Sequence, residues 1–207
     1  MKKSTLLFLS LCLSIILSAQ SSTSNINRTL AKEAALENAH SFVNLIPQGQ
    51  EKDYGFDSRA DFDKIKIGEP YQTYFMVKQA NEIVFTDVNE WRVPLLVDGK
   101  FVALVSVHIK EGKGEVVDFG ASGLASFLQK FEAQFKGENE HVLIRNTALA
   151  KDFIAPNFSA LCSQIKSAGF TTINSNASEL LYPIGNTNNE PLKIKAIQSL
   201  TLAAPSK

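Results

Sequence analysis

Few side chains in this sequence have the type and spacing that chemistry requires. Ser122 stands in Gly120-Ala-Ser-Gly123, at a strand-to-helix junction, where a hydrolase of the usual kind presents its nucleophile. That nucleophile sits in G-x-S-x-G, a spacing this segment lacks, and Ser122 serves equally well as a helix N-cap. No Gly-Lys-Ser/Thr follows to build a phosphate loop. Cys162 shares an apolar stripe with Phe158, Leu161 and Ile165. A reactive thiol needs a polar, partly exposed setting, so this one reads as a small hydrophobe. His40, His108 and His141 form no H-x-x-x-H or H-E-x-x-H pair for zinc. Asp53, Asp57, Asp61 and Asp63 are the one dense group of carboxylates. Their spacing misses the alternating oxygens and closing Glu of a calcium loop, and acidic residues at a helix start are explained by its dipole. The residue pattern therefore assigns no catalytic, cofactor-binding or metal-binding residue, and no cofactor is expected.

The elements that would position any site are easier to read. Ala35, Leu36, Ala39, Phe42, Val43 and Ile46 recur at helical spacing, with Asn27 or Thr29 as cap and Pro47 and Gly49 as stop. Ser58-Arg-Ala-Asp61 resembles a capping box opening a short helix with Phe62 and Ile65 inward. Tyr71 to Val77 reads as a strand, as does Ile83 to Phe85. Trp91 to Val107 is a hairpin about Asp98-Gly99, because a type I′ turn needs positive φ at both central residues. A two-residue loop pairs Val97 with Lys100 and Leu95 with Val102. Both faces of that hairpin are apolar, so it belongs in the middle of a sheet covered on both sides, or one face is a contact surface. Pro94 argues for an edge or a bulge.

A turn at Glu111 to Gly114 adds Glu115 to Phe119 as a third strand. A helix follows, with Leu124, Leu128, Phe131 and Phe135 on one stripe, ending at Gly137. Further on come a strand at His141 to Ile144, a helix closed by Gly169, and strands at Leu180 to Ile184 and Leu192 to Ile197 joined by Gly185 to Asn189. Helices grouped around antiparallel strands make this an α+β chain, with helices packed on a β-meander and a smaller C-terminal α/β extension. The expected organisation is a signal peptide at 1–19, a disordered leader at 20–27, an α+β domain at 28–137, and a helix-plus-hairpin subdomain at 138–203 docked on the first. The aromatic residues Tyr54, Phe56, Tyr71, Tyr74 and Trp91 could line a binding surface, but with 14 Phe in the chain the better expectation is core.

Composition narrows the class. With 44% hydrophobic and 20% charged residues the chain should fold. Its 21 basic and 21 acidic residues cancel, leaving no surplus to neutralise phosphates, so nucleic acid is not an expected partner. Two lysines, an apolar run from Leu6 to Leu17 and small residues before Ala19 have the layout of a secretory signal, too short for a comfortable span. Leu11 before Cys12 is too bulky for a lipobox. After removal of 1–19, only Cys162 remains, so no intramolecular disulfide can form. No other apolar stretch is long enough to span a membrane, so a secreted or periplasmic destination is expected.

Tyr54-Gly-Phe56, Ile67-Gly-Glu-Pro70, Trp91-Arg-Val-Pro94, Asp98-Gly99 and Asp118-Phe-Gly120 together resemble a group of small exported bacterial proteins without an assigned activity. The similarity spans roughly 30–135. The helix-on-sheet arrangement is also similar to PepSY and cystatin-like modules, which implies inhibitory, prosegment or regulatory roles and transfers no catalytic residue. The expected function is a non-catalytic exported module recognising a peptide, protein or envelope component. A hydrolase with dispersed catalytic residues and a small-molecule carrier with an apolar pocket are the alternatives.

Overall fold

A computed structural model of the chain describes residues 4–79, 82–135, 141–147, 150–167, 172–173, 181–184 and 200–201, with side chains over 24–77, 84–135, 141–147, 150–163 and 181–184. A long helix, α1 (Ser4–Val43), leads into two 3-10 helices (Glu51–Tyr54 and Arg59–Lys64). The strands β1 (Lys66–Ile67), β2 (Tyr71–Gln79), β3 (Glu82–Val97), β4 (Lys100–Lys110) and β5 (Lys113–Gly120) follow, then helix α2 (Ser122–Gln134). The strands β6 (Val142–Asn146) and β7 (Lys151–Ala155) precede helix α3 (Phe158–Ser167), β8 (Thr172–Ile173), β9 (Tyr182–Pro183) and β10 (Leu200–Thr201).

One eight-stranded sheet runs β5-β4-β3-β2-β6-β7-β9, with β1 paired to the end of β3. Every ladder is antiparallel except β2 with β6. The fold is therefore α+β on a mostly antiparallel sheet. The described part of the C-terminal third continues that sheet, while β8 and β10 pair separately. The expected helix closure at Gly169, the loop at 185–189 and the strand at 192–197 lie outside the described residues.

Two-sided cover explains the apolar hairpin. On the front face, Trp91, Val93, Leu95, Val105 and Val107 pack under α1 and the 3-10 segment, and none of the five is exposed. The helix presents Ala31, Ala34, Ala35 and Ala39 to the sheet, small side chains that let it lie close. Gly114 on β5 marks how close: a Cβ there would come within 2.7 Å of the Leu30 carbonyl oxygen and of Ala34 Cβ. The far end of the same face packs against α3, where Tyr74 stacks on Phe158 at 4.3 Å between ring centres. On the back face, α2 sets Phe127, Leu128 and Phe131 against Leu104, Leu143 and Ile154.

The turn at Asp98-Gly99 is as expected, with φ of 50° and 79° and Val97 opposite Lys100. The register beyond it differs. Leu95 pairs with Ala103 and Leu96 with Phe101, leaving Val102 as the extra residue of a bulge. One inserted residue shifts alternation by one, so Ala103, Val105 and Val107 share the front face with Trp91, where unbroken pairing places Val102 and Leu104. Pro94 sits inside the sheet, at the point where β3's other neighbour changes from β2 to β1, and its carbonyl accepts from Gly68 N–H at 2.8 Å. A strand residue's N–H and C=O point to the same side, so the missing donor falls at this gap.

Three further expectations are corrected. The leader at 20–27 is part of α1, and Asn27 and Thr29 are interior to it; Thr29 Oγ1 donates back to the Asn25 carbonyl at 3.1 Å. The strand at 83–85 merges with the next into the 16-residue β3, with a shift where Asn89 takes φ of 53°. The strand β7 was not expected at all. Among the described residues, no helix is long and apolar enough to cross a membrane.

Candidate functional site

Most residues whose type suggested chemistry are accounted for by the fold. Ser122 begins α2, but the N-cap is Ala121 at φ 56° and no side chain caps the helix. Ser122 instead packs close to Gly55, whose own Cβ would come 2.1 Å from the Val102 carbonyl oxygen. Cys162 lies half-buried on α3 beside the fully buried Leu161. Asp61 accepts from the backbone N–H of Ser58 and of Asp57, both at 3.1 Å, closing the expected capping box on a 3-10 turn. The Lys64 ammonium, 3.0 Å from Asp61, holds that carboxyl below the ordinary carboxylate range, against the opposing effect of burial and with help from the two N–H groups. Asp53, Asp57 and Asp63 stay exposed. No group of three His, Cys, Asp or Glu side chains suited to a metal occurs among the described residues.

The aromatic residues are core, as expected. Trp91, Phe56 and Tyr71 are buried, and Tyr54 stacks on Phe119 at 5.9 Å. Tyr71 donates its hydroxyl to Glu132 of α2, tying β2 to the helix that covers it. Burial pushes the Tyr71 phenol well above the ordinary tyrosine range, and the Glu132 carboxylate pushes in the same direction. His141 stacks on Tyr71 and meets Phe131 edge-on under α2, His108 lies on β4, and His40 is exposed near the end of α1. The three histidines do not converge.

The sheet gathers a different set. The helix α2 covers one end of the back face, and beside it polar residues from six strands line up in register. One row runs Asp118, Ser106, Arg92; the next runs Glu115, His108, Glu90, Thr73; a third pairs Arg145 with Asp152. Arg92 is the clamp. It donates to Ser106, lies 2.8 Å from Glu90 Oε1 and 3.7 Å from Asp118, and is largely buried. Arg145 binds Asp152 through Nε alone, at 3.2 Å, and both side chains are more than a third exposed.

Between these arginines lies a shallow depression of about 10 Å³, room for about one water molecule. Thr73, Arg92, Arg145 and Asp152 supply its polar wall, and Leu124, Leu143 and Ile184 its apolar wall. Thr73 is 2% exposed and its hydroxyl has no hydrogen-bond partner among the described residues. Leaving such a group unsatisfied costs about 1–3 kcal/mol, so a water in the depression is the partner expected for it. No strand read alone points to this place. The available signal was a charged residue interrupting apolar strand sequence, in Trp91-Arg-Val-Pro94 and in Val142-Leu-Ile-Arg-Asn146. Comparison with protein-family models, with curated proteins and with solved structures finds no match in any of the three.

Proposed function

We propose that this protein is an exported, non-catalytic binding module, and that the open half of its back face is the surface that recognises a peptide, protein or envelope component. The observation that carries the reading is the row of polar side chains that α2 leaves uncovered, where Arg145 is more than a third exposed and its terminal nitrogens meet no partner among the described residues. Packing explains the rest of the sheet; it does not explain polar side chains kept here with donors to spare. The N-terminal layout of Met1 to Ala19 supports export, and the resemblance of the 30–135 segment to small exported proteins supports the same destination.

Capture of envelope components on the immobilised protein, compared with an Arg145→Glu variant, tests this reading. Reversing the charge of a half-exposed side chain should leave the fold intact and abolish capture of whatever the wild type retains specifically. Equal capture by both proteins would show that binding, if any, occurs elsewhere.

A further inference from the structure

We draw no further inference here: the strongest candidate, the apolar end of the uncovered back face where Phe75 lies between Thr86 and Arg145 and Val77 pairs with Val84, carries nothing because no observation in the structure shows what covers it.

Discussion

The front and back faces of the sheet are built from alternate residues of the same strands, yet they differ in kind. On the front, β3 and β4 contribute Trp91, Val93, Leu95, Val105 and Val107 to a continuous core under α1. On the back, Arg92, Glu90, Ser106 and His108 alternate with those residues, and the covering helix α2 stops short of them. Burial thus explains one set completely. The other set is held by ion pairs and hydrogen bonds, and those bonds leave donors unused.

Substitutions can break that contrast, the largest on the front. Trp91→Ala removes a fully buried side chain from the centre of the core and should cost about 3–5 kcal/mol, measured as a fall in the denaturant midpoint. A loss under 1 kcal/mol would mean that the front face is not the main core. Gly55→Ala should come next, at about 1–3 kcal/mol or more: φ of 91° strains an L residue, and the new Cβ would meet the Val102 carbonyl.

Within the polar half, the two arginines should separate. Arg92→Met strands the partly buried Glu90 carboxylate without its counter-ion and should cost about 2–4 kcal/mol. Arg145→Met breaks a half-exposed pair and should cost at most about 1 kcal/mol. Similar losses at both positions would make Arg145 a structural residue and weaken its assignment to a ligand.

Alkaline pH probes the covered end of the back face. The Tyr71 phenol is raised above its ordinary value of 10.0, so the folded state keeps the proton that the unfolded chain gives up. Its contribution is complete below pH 10 and declines as pH rises beyond it, by up to about 1.4 kcal/mol per pH unit. Tyr71→Phe should lose this part of the alkaline slope, and it should also be less stable at neutral pH because Glu132 loses its donor. Identical pH profiles for the two proteins would place the phenol in contact with solvent.

How much of this was legible in the sequence depends on whether the cause was local. The Asp98-Gly99 turn and the Ser58 to Asp61 box are written in adjacent residues, and both occur as expected. The bulge at Val102 is not so written; nothing in Phe101-Val-Ala103 marks which residue drops out of the ladder. The strand β7 is only five residues, and its pairing with β6 and β9 supplies the burial that makes it a strand. The site was hidden for the same reason. Thr73 and Leu143 meet through the β2 and β6 ladder, and β3, β4, β5 and α2 intervene along the chain. Arg92 and Arg145 were visible as odd charges in apolar strands, but only the sheet brings them to one hollow.

The claim on which everything turns is that Arg145, on the open half of the back face, serves a partner and not the fold. Arg145→Glu reverses one exposed charge, and the melting temperature and the capture of envelope components can be measured on the same protein. The expected result is a Tm within about 4 °C of the wild type, together with loss of specific capture. A lower Tm with unchanged binding would contradict it.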